Sequence, residues 1–119
     1  MKNEKINQLC VEVKAELEQN ILPFWMKKMT DCEHGGFYGR ITGKDVLEVS
    51  ASKGAILNAR ILWTFSAAYR LLHKEEYLET ATRAKRYLID YFYDTEFGGI
   101  YWELDCEGNP LDTKKQIYA

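Results

Sequence analysis

Arg60 is the residue that packing alone explains least. It lies in a stretch, about 53–73, that is otherwise apolar nearly all round, with Ile56, Leu57, Trp63 and Thr64 at helical-neighbour spacing. Burying a guanidinium there is costly unless something holds its charge. Two readings stay open: a structural ion pair with a carboxylate of an adjacent helix, or a planar donor fork turned into a central cavity to hold a ligand oxygen. Tyr118 is near the start of a second segment of the same kind, as a core tyrosine with a satisfied hydroxyl or as a second group at the same end of the layer. Trp25, Trp63 and Trp102, with Tyr38 and Tyr101, supply flat surfaces against which sugar rings stack, at spacings that also suit a plain core. The two histidines are read as non-catalytic. His34 occupies a slot that is Phe97 in a second copy of its motif, and His73 falls at a helix C-terminus, where a cationic ring complements the dipole. The sequence holds no metal-ligand constellation, phosphate-type glycine loop or nucleophile–base motif.

The elements that must position these groups are set by a repeat. Asp31-Cys32-Glu33-His34-Gly35-Gly36-Phe37-Tyr38 returns as Asp94-Thr95-Glu96-Phe97-Gly98-Gly99-Ile100-Tyr101, sharing the pattern D-x-E-x-G-G-x-Y. Each copy is followed by turn-prone residues and then by a lysine-containing entry to an apolar segment, Lys53-Gly54-Ala55-Ile56-Leu57 and Lys114-Lys115-Gln116-Ile117-Tyr118. A unit of this length cannot bury its apolar face alone.

Ile6, Leu9, Cys10, Val13 and Leu17 recur at spacings of three and four, which predicts an amphipathic helix over about 4–20 with one buried stripe. Pro23 predicts a break or kink near 20–23, followed by a short helical piece through Phe24, Trp25 and Met29. Residues 37–42 and 46–49 read as a small hairpin. Ser52 is a candidate N-cap for the helix over 53–73, whose all-round apolarity predicts burial on most sides; Leu62, Trp63 and Phe65 are expected to need further repeats to cover them. The helix over 75–93 is one-sided, with Tyr77, Ala81, Ala84, Leu88 and Tyr91 in a stripe and Glu79–Arg83 as an i,i+4 pair on the wet face. A second hairpin runs from Gly98 to Asp112 and leads into the start of a second inner helix at Lys114. Helices of alternating character describe an inner and an outer layer. The expected architecture is all-α with short β-hairpins between helices, both hairpins at the same end of the layer.

Composition narrows the function classes. The 119 residues are 46% hydrophobic and 13% aromatic, enough for one small core. Sixteen basic and eighteen acidic side chains leave a net charge of −2, which argues against a polyanion partner such as nucleic acid. No apolar run suits a bilayer span and the first residues carry no signal-type apolar region, so no membrane partner and a cytoplasmic location are expected. Cys10, Cys32 and Cys106 are odd in number, without a C-x-x-C, and read as reduced thiols.

These residues resemble the opening of the cellobiose 2-epimerases. The resemblance rests on Ile21-Leu22-Pro23-Phe24-Trp25, on Glu33 to Gly39, and above all on Lys53 to Tyr69, where KG-x-IL-x-x-RILW-x-FS-x-AY is the specific block. Gly98-Gly99-Ile100-Tyr101-Trp102 and Asp112 to Tyr118 extend it over essentially the whole chain. Mannobiose 2-epimerases look equally close, and the related N-acylglucosamine 2-epimerases resemble it more loosely. The resemblance implies that residues 1–119 are the N-terminal portion of a single (α/α)6-barrel domain roughly three times as long, ending at the start of the second inner helix. It implies inversion at C2 of the reducing-end glucose or mannose unit of a β-1,4-linked disaccharide, with no metal or redox cofactor. Arg60 would contact the reacting end of the sugar and Tyr118 would line the same site. The general acid/base pair, two histidines in this family, is expected outside these residues, which makes the 119-residue chain alone inactive. Two other classes remain: another (α/α)-toroid carbohydrate enzyme, which needs paired carboxylates or a Tyr/His couple, and a helical-repeat binding scaffold, against which the GG-x-Y hairpins and Arg60 argue.

Overall fold

The computed structural model describes residues 2–119. Lys2–Glu16 form helix α1, with Glu4 in its first turn and Lys14 in its last, both matched to the helix dipole. The backbone passes Pro23 without the expected break. Wide π-helical turns at Leu17–Ile21 and Phe24–Lys28 flank the proline, and the Leu22 N–H donates to Leu17 O, five residues back. Widening the turn makes room for a ring that brings no N–H of its own. The stripe expected to be buried on α1 is exposed: Ile6, Leu9 and Val13 lie open, and no α1 residue is buried. Helical period marks a face but does not supply the element that covers it. Cover begins only at Leu17 and Leu22, which reach the core.

Helices α2, Ala55–Leu72, and α3, Glu75–Tyr87, fold back on each other as a hairpin of helices. His73 makes the reversal in the left-handed conformation (φ 56°), its N–H donating to Tyr69 O. Ile61, Phe65 and Ala68 of α2 pack against Tyr77, Ala81 and Ala84 of α3, with Leu22 and Phe37 closing the cluster. The two alanines let the helices approach, and the Phe65 and Tyr77 rings meet at 6.1 Å. α3 thus already buries Phe65. The opposite side of α2 is open, with Trp63 73% and Leu71 78% exposed, so the expected burial on most sides is not met by the described residues.

A π-helical turn, Leu88–Phe92, ends α3. The extra residue in that turn shifts the phase of the stripe, so Tyr87 and Phe92 take the buried places while Tyr91 lies partly open and stacks on Tyr87. Three short strands complete the fold: β1 (Lys53–Gly54), β2 (Glu103–Leu104) and β3 (Pro110–Asp112), antiparallel in the order β1-β2-β3. The second hairpin forms as its turn residues predict, with the Asp105 carboxylate accepting from the Glu107 and Asn109 N–H groups. The first is reduced to a single Ile41–Leu47 bridge beside a Thr42–Val46 turn.

The sheet caps the N-terminus of α2. The Ala55 N–H donates to Trp102 O, satisfying one of the first-turn donors that have no partner within the helix. Ser52 is not that cap; Gly54 holds the position, and the Ser52 hydroxyl donates to the Glu103 carboxylate. Residues 114–119 form no helix, only a turn closed by the Ala119 N–H on Gln116 O. A first helical turn fixes about six dihedrals for one hydrogen bond, which a short segment does not repay alone. Among the described residues no helix is long and apolar enough to cross a membrane.

Candidate functional site

The two D-x-E-x-G-G turns are built the same way. In the first, Asp31 Oδ1 accepts the N–H groups of Glu33 and His34 at 3.0 and 2.9 Å, and Oδ2 accepts from Lys53 Nζ at 2.8 Å. Lys53 also donates to Gly35 O at 2.8 Å, and both ionic side chains are fully buried. In the second, Asp94 Oδ1 accepts from Glu96 and Phe97, both at 3.0 Å, and Oδ2 accepts from Lys115 Nζ at 2.7 Å. Each aspartate therefore closes its own loop and seizes the lysine ahead of the next segment.

Burial works against ionisation of Asp31, but the His34 and Glu33 N–H groups and the Lys53 ammonium outweigh it and hold the carboxyl below the usual 3.8. At Asp94 the Lys115 hydrogen bond and the Phe97 N–H bring the value down to about 2. Both aspartates are thus structural anions, committed to lysine and backbone.

Arg83 does not pair with Glu79 as its spacing predicts. It reaches across to the first turn, where its Nε donates to Gly36 O at 2.9 Å and its other end donates to Asp31 O. Tyr87, one turn further along α3, lies flat against Gly36; a Cβ there would sit 2.8 Å from the ring, at a φ of +65° that favours glycine. The Lys53 ammonium lies 5.1 Å from the Tyr87 ring centroid. The Tyr91 ring and the Tyr87 hydroxyl lie against Gly108 of the second hairpin, so the first turn and the second hairpin meet at the end of the helical layer that holds the start of α2 and the end of α3. Burial, with Tyr91 alongside, pushes the Tyr87 hydroxyl up to about 12.

At that end the structure brings Arg60 and Tyr118 together. They line one cleft of about 320 Å³ with Ile56, Ala59, Trp63 and Ala119. Arg60 is exposed and takes no ion pair among the described residues. Tyr118 is 71% exposed, and its ring meets Trp102 edge-on at 5.7 Å. Of the aromatics proposed for a sugar-stacking wall, Trp63 and Trp102 flank this cleft. Trp25 packs on the core beside Phe24, and Tyr101 lies under the Lys115 ammonium at 4.5 Å. His34 is in the first turn, its Nδ1 3.8 Å from the Asp31 carboxylate, and neither histidine lines the cleft.

Sequence reasoning overlooked the two Asp–Lys contacts, one of them wholly buried, and the Arg83 clamp. A signal for the first existed, because aspartate and lysine recur together in both copies of the repeat. None existed for Arg83, whose partners are backbone carbonyls.

A family profile described as N-acylglucosamine 2-epimerase (GlcNAc 2-epimerase) matches residues 25–119. The chain belongs to the N-acylglucosamine 2-epimerase family. Within this epimerase family it is 69% identical over 108 residues to the cellobiose 2-epimerase of Bacteroides fragilis, covering 91% of this chain and 28% of that protein. It is 44% identical over 107 residues to the cellobiose 2-epimerase of Ruminococcus albus, covering 90% of this chain and 27% of that one. The solved structure of cellobiose 2-epimerase from Bacillus thermoamylovorans superposes with a TM-score of 0.91 at 46% identity, over 94% of this chain and 29% of that chain. The chain thus spans less than a third of the length of these epimerase relatives.

Proposed function

We propose that the polypeptide carrying this chain is a sugar 2-epimerase that inverts C2 of the reducing-end glucose or mannose unit of β-1,4-linked disaccharides, cellobiose and mannobiose among them. The observation that carries this reading is the cleft shared by Arg60 and Tyr118, two groups distant in sequence in a chain of this family. Ring opening exposes an aldehyde, which acidifies the C2 proton. One base removes that proton and a conjugate acid returns one to the opposite face, work suited to two imidazoles with pKa values near neutrality. In this reading the pair comes from outside residues 1–119. Arg60 directs its fork at O1 and stabilises the negative charge as the cis-enediolate forms. Tyr118 borders the same sugar unit, with Trp63 beside it. The chemistry calls for no metal or redox cofactor.

The architecture in this reading is an (α/α)6 barrel, with α2 as an inner helix, α3 as an outer one, and residues 114–119 leading into the second inner helix. The superposition on the Bacillus enzyme supports it. A cytoplasmic location belongs to the same reading, supported by the three thiols, two of them exposed. The test is incubation of the full-length polypeptide with cellobiose in deuterated water. The expected product is the glucosyl-mannose epimer carrying deuterium at C2. No conversion of cellobiose or mannobiose, or conversion without solvent deuterium, overturns the reading.

A further inference from the structure

We infer that the Asp94–Lys115 ion pair is a positioning device that sets Tyr118 opposite Arg60. The inference rests on the sugar-site reading above and adds the residues that hold one wall of that site.

The ion pair is placed for this role. Tyr118 belongs to no helix or strand; it sits on the short strap that follows β3. In the reading above this strap leads into the second inner helix, so the hold on its entry sets where Tyr118 stands. What ties the strap down is Lys115, three residues earlier, whose Nζ is 2.7 Å from Asp94 Oδ2 and 4.5 Å from the Tyr101 ring centroid. Lys114 adds a second hold, 4.7 Å over the Trp102 ring, which in turn meets Tyr118. Asp94 is itself immobilised, because its other oxygen accepts two backbone N–H groups of its turn. The chain of contacts therefore runs from a rigid turn, through one ammonium, to the strap that carries Tyr118.

The first repeat supplies the parallel. There Asp31 holds Lys53, at the entry to α2, and α2 carries Arg60. Each turn thus secures the segment that supplies one side of the cleft. The two pairs differ in setting. Lys53 is fully buried at the entry to a packed helix, whereas the Lys115 side chain is 38% exposed. Loss of the second pair should therefore be felt at the cleft more than in the fold.

The experiment compares Lys115→Met, Lys115→Arg and Asp94→Asn in the full-length polypeptide, with kcat and KM for cellobiose measured well below each variant's melting temperature. Asp94→Asn keeps an oxygen for the two N–H groups and replaces the oxygen that holds Lys115 with an amide donor, so it serves if Lys115→Met fails to fold. Lys115→Met and Asp94→Asn are expected to lower kcat/KM on the order of 10-fold, mostly through KM, as a small misplacement of a contact group does. Lys115→Arg should restore most of the loss. In a Tyr118→Ala background, Lys115→Met should change kcat/KM by less than about twofold, since its effect runs through the missing ring. Full, independent losses in the double variant, or variants with lowered melting temperature and unchanged kcat/KM, overturn the inference while leaving the sugar-site reading intact. A wild type with no turnover overturns that reading, and this inference with it.

Discussion

Arg60 is a residue whose type leaves two roles open and whose exposure supports the ligand-facing role proposed above. A guanidinium in a sealed core would have to be paired; this one faces an open cleft without an ion pair among the described residues. Arg60→Lys is therefore expected to leave the melting temperature of the full-length polypeptide within a degree or two (about 0.5 kcal/mol for an exposed site). Turnover on cellobiose and mannobiose should drop on the order of 100- to 1000-fold, the typical cost of losing one preorganised contact to a developing oxyanion. Near-normal turnover on both sugars would reduce Arg60 to a surface residue. Gly36 makes a claim of the opposite kind. Its φ of +65°, and a Tyr87 ring that would lie 2.8 Å from an added methyl, leave no room for a side chain. Gly36→Ala should cost about 2 kcal/mol or more in chemical denaturation, with no direct effect on the cleft.

At the scale of elements, the two Asp–Lys pairs perform one mechanical job under different solvation. Asp31–Lys53 is wholly buried, so removing one partner strands a charge, and Lys53→Met should cost about 3–5 kcal/mol. Asp94–Lys115 is partly open to water, which screens it, and Lys115→Met should cost only a small fraction of that. Denaturant midpoints of the two variants, measured side by side, should keep that order; a reversed order would mean that the second turn, and not the first, anchors the fold. Breaking Asp31–Lys53 also endangers the Arg83 clamp, because Arg83 grips carbonyls of the same loop.

The whole molecule carries its acid sensitivity in those turns. Both aspartates have folded-state pKa values below the unfolded 3.8, Asp94 down to about 2. A carboxyl lowered by folding adds stability that is fully present above the unfolded value and is lost as pH falls through the folded one. Thermal melts should therefore be flat with respect to these groups down to about pH 4 and decline between about pH 4 and 2, and Asp94→Asn should flatten part of that decline. A second whole-molecule property is the open apolar surface. Ile6, Leu9 and Val13 on α1 and Trp63 and Leu71 on α2 lie largely in water. Expressed as these 119 residues alone, the chain should self-associate and show no epimerase activity. Sedimentation velocity checks the first point; a monodisperse, cooperatively folding monomer would contradict it.

How much of this was legible in sequence follows from what each feature depends on. Local periodicity and turn chemistry are properties of neighbouring residues, so the repeat, the hairpin of helices from Ala55 to Tyr87, the second β-hairpin and the His73 terminus could all be read directly. The family could be read as well, because the block from Lys53 to Tyr69 is a contiguous string. Features that depend on what lies opposite could not. The apolar stripe of α1 has its period but no cover, Pro23 is absorbed by hydrogen bonds shifted to five residues, and Ser52 gives its hydroxyl to Glu103 on a strand far along the chain. Arg83 exchanges a helical neighbour for two distant carbonyls, since a charge-assisted bond to fixed acceptors outlasts a pair of mobile surface side chains. That Arg60 and Tyr118 share a cleft, and that a lysine three residues before the tyrosine is bound to a turn, are matters of distance in space, which only the tertiary structure decides.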